Sequence, residues 1–147
     1  DGVVMENPRY LGVDNQNRAY QISASQAVQK HQTDNLIFLK QPKADIFLLS
    51  NNWVAINSSD GIYDKSLEEA KLFGGVHIYY DKGFELKTYS VKLDLKKGTA
   101  MSIDTVIAHG PTGEIKAEGL QIIERGKRIK FLGKSTAKLR ASRKAGS

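Results

Sequence analysis

The chain is expected to fold as an all-β domain of stacked antiparallel strands, as in a jelly roll or an open roll. Three features lead there. Apolar and polar residues alternate at period two through most of the chain beyond residue 70, the spacing of half-buried strands. Glycine-bearing turns such as Asp81-Lys82-Gly83 and Arg125-Gly126-Lys127 separate the runs at hairpin distance. A unit of glycine, apolar strand, glycine turn and apolar strand recurs, from Gly75 through Gly83 to Thr88 and from Gly119 through Gly126 to Phe131. Leu11-Gly12-Val13-Asp14 with Ala19-Tyr20-Gln21-Ile22 reads as a degenerate third copy.

In chain order, Ala19 to Ile22 and Leu36 to Leu39 are short strands, and Pro42 interrupts before Asp45 to Leu49. Ser23 to Lys30 is expected to turn, as one or two turns of helix capped by Ser23 or Ser25. Asn52 to Ile56 is another strand, ended by Asn57-Ser58-Ser59-Asp60-Gly61. Ser66-Leu67-Glu68-Glu69 has the form of a capping box, with only a short segment before Gly74. Gly75 to Tyr80 and Glu85 to Thr88 flank a turn as a hairpin. Val91 to Leu95 alternates, and Met101 to Thr105 follows, up to a break at Gly110-Pro111-Thr112-Gly113. Ile115 and Ala117 begin a strand that Leu120 and Ile122 continue after a phase slip at Gly119, the pattern of a β-bulge. The last strand is expected to run unbroken from Ile129 to Leu139. It would carry Ile129, Phe131, Gly133, Ser135, Ala137 and Leu139 on one face and Arg128, Lys130, Leu132, Lys134, Thr136 and Lys138 on the other.

At 147 residues the chain fits one domain, a size that buries about 68–70% of its unfolded surface without crosslinks. We expect residues 1–140 to form that domain and 141–147 a basic tail, disordered or appended. There is no cysteine, hence no disulfide framework and no thiol chemistry. The longest apolar run, Ile46-Phe47-Leu48-Leu49, is far short of a membrane span or a signal-peptide core. Opening at Asp1 and closing on Ala-Gly-Ser, the chain has the look of an excised fragment. The net charge of +6 is unevenly placed: nine basic and no acidic residues follow from Arg125 onward. A basic end suits nucleic acid, an anionic lipid headgroup or an acidic partner, or simply a solvated face.

Nothing nominates an enzyme. His31, His77 and His109 have no partners at metal-ligand spacing, so no metal or cofactor is expected. The aspartates sit mostly in or beside turns, where they cap backbone N–H groups. Asp14-Asn15-Gln16-Asn17 faintly resembles a calcium loop but lacks the central glycine and closing glutamate. Nucleic acid is not expected either: Phe131 falls on the face opposite Lys130, Lys134 and Lys138, whereas stacking rings and phosphate-binding lysines normally share one. The aliphatic alternation fits a closed sandwich core, or a roll whose interior holds an apolar ligand.

Several segments together resemble the LptC family of lipopolysaccharide-transport proteins, its alphaproteobacterial members most. They are Asn7-Pro8-Arg9-Tyr10-Leu11-Gly12-Val13-Asp14 with Tyr20-Gln21-Ile22-Ser23-Ala24, Gly61-Ile62-Tyr63-Asp64, and Leu72-Phe73-Gly74-Gly75-Val76-His77-Ile78 with Gly83-Phe84-Glu85-Leu86-Lys87-Thr88. Val106 through Gly110-Pro111-Thr112-Gly113-Glu114-Ile115-Lys116-Ala117-Glu118-Gly119-Leu120 to Phe131-Leu132-Gly133-Lys134 completes the set. The resemblance spans residues 7 to 139, and its specificity lies in order and spacing.

The resemblance implies an open, OstA-like β-jellyroll in the periplasm, tethered to the inner membrane by an N-terminal helix that this chain does not contain. Lipopolysaccharide would come from the inner-membrane ABC transporter (LptB2FG) and pass through the apolar interior to the bridge protein LptA, with neighbouring jellyrolls joined by strand addition. The lipid-facing row it implies is Ile37, Phe47, Leu49, Trp53, Val76, Ile78 and Leu86, then Leu93, Ile103, Ile115, Leu120, Ile122, Ile129 and Phe131. Gly110 matches a glycine of functional weight. The edge offered to LptA would be Ile129 to Leu139, with Phe131, Gly133, Ser135, Ala137 and Leu139. The N-terminal end around Tyr10, Tyr20 and Ile22 would face the transporter. Two other readings stand beside this one, a soluble bridge protein of the LptA type and a basic β-domain that binds nucleic acid.

Overall fold

The computed structural model describes residues 2–47, 52–81 and 83–140. The expected alternation becomes sixteen strands, every pairing antiparallel: β1 (Val3–Glu6), β2 (Arg9–Val13), β3 (Ala19–Ser23), β4 (Gln26–Gln29), β5 (Leu36–Lys40), β6 (Lys43–Phe47), β7 (Trp53–Asn57), β8 (Asp60–Asp64), β9 (Glu69–Tyr80), β10 (Phe84–Asp94), β11 (Thr99–Ser102), β12 (Val106–Gly110), β13 (Gly113–Ala117), β14 (Gly119–Ile123), β15 (Arg128–Leu132) and β16 (Thr136–Leu139). No helix among the described residues is long and apolar enough to cross a membrane.

The pairings resolve into two layers that share the long strands β9 and β10. The first sheet runs β1-β4-β5-β8, then the first half of β9, the second half of β10, and β11-β14-β15. The second runs β2-β3-β6-β7, then the second half of β9, the first half of β10, and β12-β13-β16. The chain therefore makes a hairpin in one sheet, crosses, and makes the next hairpin in the other.

The crossings fall at Asn7, Ala24, Gln41, Ser58, Gly74, Tyr89, Asp104, Glu118 and Gly133, at intervals of 14 to 17 residues. Together they form a seam along one side of the molecule. Backbone bonds bind it rung to rung: Asn7 N–H to Ser25 O, Ser25 N–H to Lys40 O, Gln41 N–H to Ser59 O. Ser59 Oγ continues to Gly74 O at 3.0 Å, and Ser90 Oγ reaches Asp104 Oδ2 at 2.6 Å. In β9 the crossing is made inside a strand by Gly74 and Gly75, whose φ values of 82° and 95° strongly favour glycine over residues with a Cβ. Tyr89 in β10 is the matching slip, where the register shifts between Thr88 and Ser90. The hairpin tips line the opposite side, as two rows of lips.

Inward residues of both sheets make one continuous core from Tyr20 and Ala27 to Leu120 and Ile122. Ile22, Ile37, Ile56, Leu72, Val76, Ile78, Leu86 and Leu93 are fully buried within it. Each such side chain stabilises by about 1.5–3 kcal/mol.

Three expectations change. Ser23 to Lys30 is not helical: Gln26–Gln29 is β4, because Ala27 and Gln29 face inward at period two. The slip at Gly119 is not a bulge but a crossing, since β13 belongs to the second sheet and β14 to the first. The eleven-residue last strand is cut at Gly133, where φ is 71°. Its halves, β15 and β16, pair with different sheets.

Candidate functional site

An interior bounded by two sheets has two ends and a pair of lips, and the residues at these places differ in kind. At the N-terminal end, Tyr10 and Tyr20 from the second sheet meet Tyr63 from the first. The Tyr10 and Tyr63 rings lie 5.6 Å apart between centroids. The hydroxyl end of the Tyr20 ring lies over Gly12, where a Cβ would come within 2.4 Å of it. Burial raises the ionisation of Tyr20 and Tyr63 above the ordinary value for a phenol, and Glu68 adds to it. Burial alone does the same to Tyr80, whose hydroxyl has no hydrogen-bond partner among the described residues.

At the C-terminal end the space between the sheets opens into an apolar mouth of about 240 Å³, lined by Leu86, Ala108, Ile115, Ile129, Phe131 and Leu139 among others. Phe84 stands at its rim, and its ring covers Gly110, where a Cβ would lie 2.6 Å from a ring carbon. Gly110 is on the inward face of β12, in phase with Val106 and Ala108, so any side chain there projects into the mouth. Among the described residues, two strands bound the mouth with one neighbour each, β15 on β14 and β16 on β13. Arg140 N–H bonds to Thr112 O, which fixes the ladder phase. The N–H and C=O groups of Ala137 and Leu139 consequently point away from β13, an open edge.

Across the lips, the tip between β2 and β3 meets tips of the first sheet. Asp14 Oδ2 accepts from Arg125 Nε at 2.6 Å, with the two side chains only 7% and 13% exposed. Asn15 Oδ1 accepts from Arg125 Nη2, and Asn15 N–H bonds to Lys96 O at 2.9 Å. Asp14 Oδ1 also accepts from the N–H groups of Gln16 and Arg18. Burial works to raise the Asp14 carboxyl, but these bonds from Arg18, Arg125 and Gln16 outweigh it and hold its pKa below the usual carboxylate range. The stretch that faintly resembled a calcium loop is thus a hairpin tip. Among the described residues no group of three or more acidic or histidine side chains is placed to hold a metal.

The structure gathers Ile37, Val76, Ile78, Leu86, Leu93, Leu120 and Ile122 into the buried core, with Ile115, Ile129 and Phe131 packed half-buried toward the C-terminal mouth. Three residues of the expected row lie elsewhere. Phe47 and Trp53 are opposite each other in register on the outer face, 52% and 43% exposed. Their strands can be phased either way on paper, and the structure turns Ile46, Val54 and Ile56 inward instead. Ile103 is 83% exposed, because β11 ends with the inward Ser102 and Ile103 already belongs to the crossing. Leu49 lies outside the described residues.

The expected partner edge also needs correction. Tyr20 and Ile22 are in β3, flanked by β2 and β6, so their backbone is spoken for and they belong to the core. Tyr10 is on the edge strand β2, but its side chain points inward. Gly133 and Ser135 fall in the break, leaving Phe131 on the edge of one sheet and Ala137 and Leu139 on the edge of the other. The basic row splits likewise: Arg128 and Lys130 extend from the outside of the first sheet, Lys138 from the second.

Sequence reasoning missed Tyr63, Tyr80 and the Asp14–Arg125 pair. The tyrosines were legible as inward positions of their strands. The pair was not, being 111 residues apart in sequence.

A family model described as lipopolysaccharide-assembly, LptC-related, matches residues 2–140. No curated protein matches the chain.

Proposed function

The chain belongs to the LptC-related family of lipopolysaccharide-assembly proteins, and from that premise we propose that it is the periplasmic link of a lipopolysaccharide bridge. It would receive lipopolysaccharide from the inner-membrane ABC transporter at its N-terminal end and pass it to LptA at its C-terminal end. In the full-length protein an N-terminal membrane helix would hold it at the inner membrane. The observation that carries this reading is the C-terminal mouth, an apolar opening bounded by two strands with one neighbour each. Acyl chains leaving there meet a partner whose own strands extend both sheets, so the apolar path continues without exposure to water.

The middle of the interior is packed, with Val76 and Ile78 fully buried. Carriage therefore requires the sheets to part along the lips while the seam holds. Photo-crosslinking from a benzoylphenylalanine at Ile78 and at Phe131, with Phe47 as an outer-face control, tests this in cells. Lipopolysaccharide adducts at the first two positions and none at Phe47 are expected. Labelling at Phe47 alone, or nowhere, overturns the reading.

A further inference from the structure

The tips that meet across the lips combine three features. Beneath the Asp14–Arg125 pair lies an apolar space walled by Tyr20, Ile46, Val54, Tyr80, Leu95 and Ile122, with a cavity volume of about 30 Å³. That admits a water molecule and excludes an acyl chain. The second feature is charge. The three tips 14–18, 94–98 and 124–128 carry six basic side chains against three acidic ones, Asp14, Asp94 and Glu124. Asp14 is engaged with Arg125, and Asp94 Oδ1 accepts from Lys97 N–H. Glu124 is 4.0 Å from Arg128. Arg18 and Lys127 face a shared recess with Arg125, Gln16 and the carboxylate of Glu124, three cations to one anion, and neither the Arg18 nor the Lys127 side chain has a hydrogen bond or ion pair with a described residue.

The third feature is strain. Glu124 and Arg125 both have left-handed backbone, with φ of 53° and 55°, a conformation costly for residues with a Cβ. The hold of Asp14 and Asn15 on the Arg125 side chain anchors that tip. Releasing Arg125 thus frees the tip to relax, leaving Asn15 N–H to Lys96 O as the remaining bond between these tips among the described residues.

We propose that this clasp is a side-access site for a phosphorylated, acylated amphiphile, in which phosphate binds Arg18, Lys127 and Arg125 and an acyl chain enters the space beneath. Asp14 is the internal anion that phosphate displaces. The guanidinium fork suits phosphate as well as carboxylate, and phosphate carries the larger charge into a rim that is net positive. The site rests on the transport reading and specifies which end of the lipid is recognised, and where.

The test uses the whole chain and two probes, a phosphorylated lipopolysaccharide and the same preparation after phosphatase treatment. A photo-crosslinker at Ile46 reports the clasped pocket, and one at Ile115 reports the C-terminal mouth. Labelling at Ile46 is expected to fall at least fivefold on dephosphorylation. Arg18→Gln and Lys127→Gln, which leave the clasp intact, should lower labelling by the phosphorylated form several-fold and leave the dephosphorylated form unchanged. Asp14→Asn should raise labelling at Ile46, and Arg125→Gln should abolish its phosphate dependence. Equal labelling by both probes, or indifference to Arg18→Gln, overturns the site. Labelling at Ile115 without any at Ile46 also overturns it while leaving the transport reading standing, and absence at both positions removes the two together.

Discussion

The two ends of the interior come from the same hairpin unit, yet one is filled and the other is open. At the N-terminal end three tyrosines from facing sheets occupy the space, each ring wedged against another or against Gly12. At the C-terminal end the space is lined instead by Ile115, Ile129 and Leu139, with the Phe84 ring lying over Gly110 at the rim. A tyrosine fills more volume than an isoleucine and brings a hydroxyl that must be accommodated, so a tyrosine end closes by packing. An aliphatic end without a partner stays half-exposed and is completed only when something covers it. On the proposed transport reading, the difference would put stability at one end and binding at the other.

The largest effect should separate those roles. Tyr20→Ala removes a buried ring and should cost about 3–5 kcal/mol. Phe131→Ala, at a half-buried ring of the open mouth, should cost about 1–2 kcal/mol while sharply reducing lipopolysaccharide crosslinking there. Denaturant unfolding of both variants checks this, and equal stability losses would erase the distinction between the ends.

Next comes Gly110→Arg. The new side chain must displace the Phe84 ring, which is 44% exposed and free to swing outward. Stability should therefore fall by only about 1 kcal/mol, the low end of the cost of overpacking, because the ring can move aside. The arginine would nonetheless sit in the mouth, and lipid transfer to LptA should drop at least tenfold. Gly110→Ala should transfer lipid at close to the normal rate. An unfolded Gly110→Arg would mean that the glycine serves packing alone.

These positions also show how far the sequence could be read. Strand content and most inward residues follow from alternation, a local property. Phase failed at Phe47 and Trp53, because Ile46-Phe47-Leu48-Leu49 is apolar in both phases and only pairing with β3 decides it. The change of sheet at Gly119 and Gly133 was invisible for a related reason. A chain that crosses between layers leaves the same one-residue slip as a bulge, and the two differ only in which distant strand lies alongside. The seam would have been findable, since turn-forming residues recur at Pro8, Ser25, Pro42, Ser59 and Gly75. No such period marks the lips, where the Asp14–Arg125 contact depends on the twist of one sheet over the other.

A smaller effect tests the open edge. Ala137→Pro removes an N–H that points away from β13, so the ladder between β13 and β16 is kept. One lost hydrogen bond is worth about 1 kcal/mol, so capture of LptA should weaken about fivefold with little change in melting temperature. Thr136→Pro, on a donor turned toward β13, should lower the melting temperature as well. If the two behave alike, partners do not add to this edge.

The gentlest probe of the comparison is alkali. The folded pKa values of Tyr20 and Tyr63 are raised above the ordinary value near 10, burial being the main cause. In the unfolded chain these phenols lose protons through pH 10, whereas in the folded chain they keep them. The folded state then binds more protons than the unfolded one, and stability declines as pH climbs past 10. At pH 11 the loss is about 1 kcal/mol for each tyrosine that stays neutral. The described lining of the C-terminal mouth, aliphatic and phenylalanine side chains with glycines, Thr112 and Glu114, contains no tyrosine, lysine or other group whose ordinary pKa lies in that window. Hydrogen exchange followed from pH 9 to 11, corrected for the intrinsic rate, should thus show β2, β3 and β8 losing protection while β13 and β14 keep theirs. Uniform loss along both sheets would mean that the tyrosines report on the whole fold rather than closing one end of it.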